Sequence, residues 1–310
     1  MIPNKIKIFI LAFIIIDIVL SNFNKISNIK ICVCTCAKQE NEYVREFVEY
    51  YKKYGVDKIF IYDNNDEKDE RLETYISEYV NNGYVQIINY REKKKIQFKA
   101  FNECYKENKN KYDWFIYYDI DEFIHLENYK NIKTYLNSKK FLKCDVIYLN
   151  HVIRKDNNEI YYRNKSVFER FTETENFKNV NISYKPRRAL QDITKMIIRG
   201  NLKNIHFGSP HLINIKNTCN GFGKIINHTG IHLEKPNYDK YYFDHFYFKS
   251  CEEYLNKLTK GDVVYGVNRG FNIYWFEIYF AFNEITDEKL DYFENKTGTN
   301  LSIFRNKIKK

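Results

Sequence analysis

Between residues 29 and 119, apolar runs of strand length alternate with stretches of helical periodicity, and this rhythm limits the chain to few architectures. Ile29 to Cys36 reads as a buried strand. Glu40 to Tyr54 reads as an amphipathic helix with Tyr43, Val44, Phe47, Val48 and Tyr51 on its apolar face, closed by Gly55. Lys58 to Asp63 is a second strand and runs into the turn-rich Asp63-Asn64-Asn65-Asp66. A helix through Leu72, Ile76 and Val80 stops at Asn81-Asn82-Gly83. A strand over Tyr84 to Ile88, a helix over about Gln97 to Asn108 and a strand over Trp114 to Asp119 follow. This spacing predicts an α/β fold with a mostly parallel central sheet flanked by helices.

Ligands of such sheets bind at the carboxyl ends of the strands. Three polar clusters fall there: Lys38-Gln39-Glu40, Asp63-Asn64-Asn65 and Asp119-Ile120-Asp121-Glu122. After about residue 150 the alternation fades into a mixed stretch with a short strand over Asp192 to Ile198 and a helical pattern from Cys251 to Lys260. A length of 310 residues suits one large α/β domain or two small ones.

The chain carries 50 Lys and Arg against 40 Asp and Glu, a formal net charge of +10. Basic chains bind nucleic acid, anionic membranes or phosphorylated ligands. The lysines are scattered, however, and the longest cluster is Lys93-Lys94-Lys95, with no zinc-finger spacing, RNP motif or basic helix. A solvated face explains the charge better than a nucleic-acid groove, and a diphosphate ligand stays compatible with it. Aromatic residues reach 17%, but the parallel abundance of Asn, Ile and Lys points to codon bias, so no function is read from it. The seven cysteines include Cys32, Cys34 and Cys36, which alternate and so share one face of a strand. Buried small residues account for them better than zinc ligands, and the odd count defines no disulfide framework, although one or two bridges could form in an oxidising lumen.

The sharpest motif is Trp114-Phe115-Ile116-Tyr117-Tyr118-Asp119-Ile120-Asp121-Glu122-Phe123, an apolar strand that delivers two carboxylates to its carboxyl end. Turn geometry there lets both approach one hard cation, which takes oxygen ligands and leaves positions open for phosphate oxygens. A solvated turn with a capping Asp is the competing reading. Nucleotide-sugar transferases use such a pair to hold Mn2+ or Mg2+ against a diphosphate. Aspartyl phosphatases of the haloacid-dehalogenase type use it as nucleophile and general acid. The phosphatase pattern places its pair after the first strand, whereas here about three strand–helix units come first, as a nucleotide pocket requires.

The ordered motifs resemble glycosyltransferase family 92, once called domain of unknown function 23, which has a GT-A type fold. The resemblance is carried by Cys36-Ala37-Lys38-Gln39-Glu40, Tyr54-Gly55-Val56-Asp57, Ile61-Tyr62-Asp63-Asn64, the Gln97, Ala100, Asn102 and Cys104 set, and Asp119 to Phe123. Lys195 to Arg199 with His206, then Asp244-His245-Phe246-Tyr247, Lys249-Ser250, Glu253, Lys257 and Gly261 complete it, over roughly residues 30 to 265. It implies a metal-dependent, inverting transfer of a sugar, galactose by expectation, from a UDP-sugar donor to a glycan acceptor.

By the same resemblance, Lys38 and Glu40 lie where base and ribose are held, and Gln97 near its helix start reaches the donor. Asp63 contacts ribose or uracil, or alternatively opens an Asx turn. Asp119 contacts ribose or sugar while helping with the metal, and Asp121 ligates Mn2+ or Mg2+. His206 and His245 are candidate further ligands, each weighed against a structural role. Asp244 and Glu234 are the candidates for the base that takes the acceptor proton, and Lys249 is a candidate phosphate contact. A catalytically silent glycan- or nucleotide-sugar-binding member is the reading from another class.

Lys5 and Lys7 precede an apolar run from Ile8 to Leu20 broken by Asp17, followed by the polar Ser21 to Asn28. The pattern reads as a signal peptide or short signal-anchor, with a buried element as the alternative that Asp17 favours. The expected organisation is residues 1–28 as signal-anchor and stem, 29–265 as the transferase domain and 266–310 as a C-terminal extension packed on it. A eukaryotic source would make the protein a single-pass type II membrane protein of the Golgi; a bacterial source would leave it membrane-associated or cytoplasmic. Sequons at Asn164, Asn181, Asn227, Asn295 and Asn300 fit a lumenal domain, although an Asn-rich chain produces them by chance.

Overall fold

The computed structural model describes residues 29–174, 190, 193–227, 230–231 and 238–308. Its centre is β1 (Ile31–Ala37), buried along its whole length because helices cover both faces of the sheet. Ile31 and Val33 face one core with Val44, Phe47, Val48 and Tyr51 of α1 (Asn41–Lys53) and Leu72 and Ile76 beside it. Cys32, Cys34 and Cys36 face the other core with Ala100, Phe101 and Cys104 of α3 (Gln97–Asn108). The alternating thiols are therefore packing residues, as their period-two spacing indicates. Between these helices lie β2 (Lys58–Asp63), α2 (Glu73–Asn81), kinked at Ile76, and β3 (Val85–Asn89).

The strand–helix alternation produces four parallel strands, with β4 (Trp114–Tyr117) beside β1 and β2 then β3 on its other side. The next strands are β5 (Glu122–Leu126), β6 (Val146–Ile153), β7 (Thr194–Arg199), β8 (Thr218–Asn220) and β9 (Tyr241–His245). Among the described residues the sheet order is β3-β2-β1-β4-β7-β6-β9-β5, with β8 pairing β6. β7 and β5 run against the rest, so the sheet is mixed but mostly parallel. This is the α/β architecture the sequence predicts. β4 stops at Tyr117 rather than continuing to Asp119, because the Asp119 N–H turns to the Glu122 side chain (2.8 Å) and leaves the ladder.

Short helices α4 (Ile132–Leu136) and α5 (Val167–Arg170) join these strands, and Cys144 and Cys219 form a disulfide between the approach to β6 and β8. A third core joins α6 (Cys251–Thr259), α7 (Ile273–Phe282), α8 (Asp287–Thr297) and the start of α9 (Ser302–Ile308). There Tyr279 stacks on Tyr254, and Lys289 and Tyr279 meet the buried Asp156. No helix among the described residues is long and apolar enough to cross a membrane, and the N-terminal segment expected to do so lies outside them.

Candidate active site

The turn between β4 and β5 carries Asp119, Ile120 and Asp121, and Glu122 opens β5. The Glu122 N–H donates to the Asp119 carbonyl at 3.0 Å, closing the turn tightly. Two long-range pairings complete the site. The β5–β9 register sets Glu122 opposite His245, and β7, antiparallel to β4, delivers Lys195 beneath the turn. Lys195, almost wholly buried, donates to Asp119 Oδ2 at 2.5 Å and lies 3.1 Å from Glu122 Oε2. One ammonium thus serves two carboxylates. Burial pushes the Glu122 carboxyl up to about 7 against the pull of Lys195.

Asp121 is buried, with Oδ2 2.7 Å from Lys257 Nζ and Oδ1 3.6 Å from His245 Nε2. Burial alone would raise its carboxyl, but Lys257 and His245 hold it well below the usual range.

Behind His245 stands His151 on β6, fully buried, with the two Nδ1 atoms 3.1 Å apart. His151 Nε2 donates to the Leu190 carbonyl, which can only accept. Burial, reinforced by His245, pushes the His151 imidazole well below its ordinary value and keeps it neutral. Its Nδ1 must then accept, so His245 Nδ1 donates, while His245 Nε2 stands 3.6 Å from Asp121 Oδ1. Among the described residues no three His, Cys, Asp or Glu side chains converge as a full protein-supplied ligand set. Asp121 and His245 fit the partial shell of a Mn2+ or Mg2+ ion whose remaining positions go to phosphate oxygens and water.

Asp119, Asp121, Glu122, His245 and Lys257 line a cleft of about 340 Å3 together with Lys38, Gln97 and His211. Lys38 donates to Asp66 Oδ1 at 2.9 Å. Gln97 Nε2 donates to Asp119 Oδ1 at 3.1 Å, and its Oε1 is buried without a hydrogen-bond partner. Glu40 occupies the N-cap position of α1 but makes no side-chain cap; its carboxylate turns instead to Lys260 and to Lys249 (3.4 Å). Burial opposes ionisation of Glu40, yet the two lysines hold its carboxyl below the ordinary value. Lys249 sits at φ +55°, a left-handed conformation for a side chain with a Cβ, and its Nζ lies 3.5 Å from the Tyr43 ring centre.

Other expected site residues sit elsewhere. Asp244 neighbours His245 on a strand, so its side chain leaves by the opposite face, where it is buried against Arg154 at 2.7 Å. It does not line the cleft and is not placed to take an acceptor proton. Asp63 is buried in an ion pair with Arg91 (3.0 Å) and accepts from the Asn65 N–H at 2.9 Å, the Asx-turn alternative. His206 is exposed on the loop after β7 and does not line the cleft, so it is not brought to Asp121. Glu234 lies outside the described residues. Sequence reasoning gave no role to Lys195, Lys257 or His151. The available signal was a single Lys inside the apolar strand Thr194-Lys195-Met196-Ile197-Ile198, where a cation requires a buried anion.

The chain matches about a third of itself to proteins of family 92 from plants. One from Ricinus communis is 28% identical over 104 residues, covering 34% of this chain and 18% of the relative. One from Arabidopsis thaliana is 30% identical over 110 residues, covering 33% and 17%. The matched stretch therefore spans less than a fifth of these relatives. Solved structures with some likeness include S. aureus TarS 1–349 in complex with UDP-GlcNAc, at 14% identity and TM-score 0.31 over 44% of this chain and 37% of that one. Mannosyltransferase PcManGT from Pyrobaculum calidifontis in complex with GDP-Man and Mn2+ gives 7% identity and TM-score 0.29 over 40% and 36%. The model of glycosyltransferase family 92 itself matches residues 27–214, more than half of the sequence and including β1 to β7. The chain belongs to glycosyltransferase family 92.

Proposed function

We propose that the protein transfers a hexose from a UDP-sugar to a glycan hydroxyl, using Mn2+ or Mg2+ held by Asp121 and His245. The observation that carries this reading is Asp121 and His245 side by side in the cleft, Oδ1 to Nε2 at 3.6 Å, with the His245 ring held by its His151 contact. A bound divalent ion supplies the positive charge that offsets a diphosphate leaving group. Lys195 keeps Asp119 fixed beside Gln97, and the family resemblance assigns Asp119 to ribose or sugar. Lys257 and Lys260 line the same cleft, paired with Asp121 and Glu40. Galactose as the sugar and inversion at its anomeric carbon come with the resemblance, and Glu234 remains the candidate base.

The test is to incubate purified protein with a panel of UDP-sugars over a Mn2+ titration, with and without glycan acceptors. Donor cleavage that rises with Mn2+ and stops in EDTA is expected, and NMR of the product anomer reads the stereochemistry. No cleavage of any donor, with retained metal-dependent UDP binding, would favour the catalytically silent reading.

The location proposed is membrane attachment through residues 1–28 with the domain in an oxidising lumen. The Cys144–Cys219 disulfide supports it, since such bridges persist in oxidising compartments. Fractionating tagged full-length protein beside a form lacking residues 1–24 tests it; equal solubility of the two would sink the anchor.

A further inference from the structure

Glu40, Tyr247, Lys257 and Lys260 form a wall with a cavity on each side. One is the cleft of Asp119, Asp121 and His245. The other, about 570 Å3, lies between the start of α1, the loop from Asn65 to Glu70, and α6. We propose that this second cavity binds a non-acidic saccharide segment of the acceptor, an inference that rests on reading the neighbouring cleft as the donor site.

The lining excludes most other ligands. Phe248 is the one hydrocarbon side chain among the described lining residues, so the cavity offers little to a lipid or an apolar small molecule. Amides and phenols stand among its charged groups: Asn256, Tyr75 and Tyr162 supply polar atoms and flat faces. Rings of this kind present an apolar body with a polar tip, which suits the C–H face and hydroxyl rim of a pyranose. Tyr162 keeps 36% of its surface exposed, with the Arg170 guanidinium 5.4 Å from its ring centre.

Charge narrows the class further. Among the described residues six carboxylates line this cavity against three lysines, of which Lys249 and Lys260 share Glu40 and Lys257 pairs with Asp121. Glu42, Asp69, Glu70 and Glu252 line the same cavity, and none of them forms an ion pair among the described residues. Glu70 accepts from the Tyr75 hydroxyl and Glu252 from the Tyr162 N–H, so both are neutral contacts that leave the charge in place. The net field repels phosphate, sulfate and uronate groups, whereas uncharged hydroxyls can still donate to these carboxylates. The volume falls in the usual range for small-molecule sites and the shared wall makes this cavity the neighbour of the donor cleft.

An array of neutral, amino, uronate, sialylated and phosphorylated glycans, probed with the full chain and with Tyr162→Ala and Asn256→Ala variants, tests the proposal. A Lys/Arg-rich decapeptide is measured beside it, and UDP-sugar cleavage is followed in every variant. Expected is retention of neutral or amino glycans, a loss of about tenfold in the Tyr162→Ala variant, and unchanged donor cleavage. Retention of no glycan, preference for acidic glycans, or binding by both variants equal to the parent overturns it. Binding of the basic peptide alone overturns it too, because the acidic rim would then serve a protein partner. Failure of the parent to cleave any donor while neutral glycans are still retained strikes the donor reading and leaves the ligand class of this cavity standing.

Discussion

His151 and His245, on neighbouring strands β6 and β9, face each other Nδ1 to Nδ1 at 3.1 Å, so one ring must donate and the other accept. The Leu190 carbonyl decides which, by claiming the His151 Nε2 hydrogen. A residue with no contact to Asp121 thereby makes His245 Nδ1 the donor and fixes the ring whose Nε2 stands 3.6 Å from Asp121 Oδ1.

The His151→Ala variant is expected to bind Mn2+ about 10- to 100-fold more weakly in the presence of UDP, the usual cost of losing a group that orients a ligand. Titration calorimetry reads the affinity directly. Unchanged affinity in a variant whose melting curve is normal would show that His151 only fills space.

Exchanging Asp121 for Asn keeps the shape and removes the charge that Lys257 neutralises at 2.7 Å. Donor cleavage should fall at least about 100-fold, since several kcal/mol of leaving-group stabilisation rest on the ion held there. Mn2+-dependent UDP binding should fall with it. Turnover within a few-fold of the parent would remove Asp121 from the metal site.

Lys195→Met leaves Asp119 and Glu122 without their shared cation, and Glu122 is buried. Breaking a buried pair costs up to about 3–5 kcal/mol, read as a lower urea midpoint. The loss is larger above about pH 7, because Glu122, raised to about 7 even beside Lys195, protonates below it. Adding Glu122→Gln should recover part of the loss, because one uncompensated charge is then gone. A double variant no more stable than Lys195→Met would show that the two groups are not coupled.

Acid should destabilise the fold through its neutral histidines. Burial, with Lys195 nearby, lowers His211 to about 3, and His151 is lowered as well. Both contributions are complete above the unfolded value of about 6.5 and are lost as pH falls toward the folded values, because only the unfolded chain takes up the protons. Melting temperatures from pH 8 to pH 4 should therefore drop below about pH 6.5. The His211→Gln variant, still able to donate to the Thr194 carbonyl as His211 Nδ1 does at 2.8 Å, should show a shallower drop. Identical slopes would remove His211 from the acid response.

Reduction of Cys144–Cys219, which are 75 residues apart in sequence, should cost about 4 kcal/mol by opening the loop they close. Urea unfolding with and without reductant measures it; coincident curves would mean that the bridge contributes nothing to the fold.

The sequence by itself determined the parallel half of the sheet, since Ile29 to Asp119 alternates strand and helix patterns whose burial is local and periodic. It also located the Asp119–Asp121 turn, because an apolar strand must end where two carboxylates begin. What it could not reveal is which distant groups meet that turn. Asp244 and His245 are adjacent in sequence, and only the pairing of β9 with β5 shows that His245 faces the cleft and Asp244 the opposite side. Lys195, 76 positions from Asp119, becomes its partner through the antiparallel placement of β7 beside β4. Strand pairing across such separations depends on the packing of the whole sheet, and no local pattern of residues encodes it. The hold on the His245 ring lies further still from the sequence, because it depends on the buried His151 and, through it, on a backbone carbonyl at Leu190.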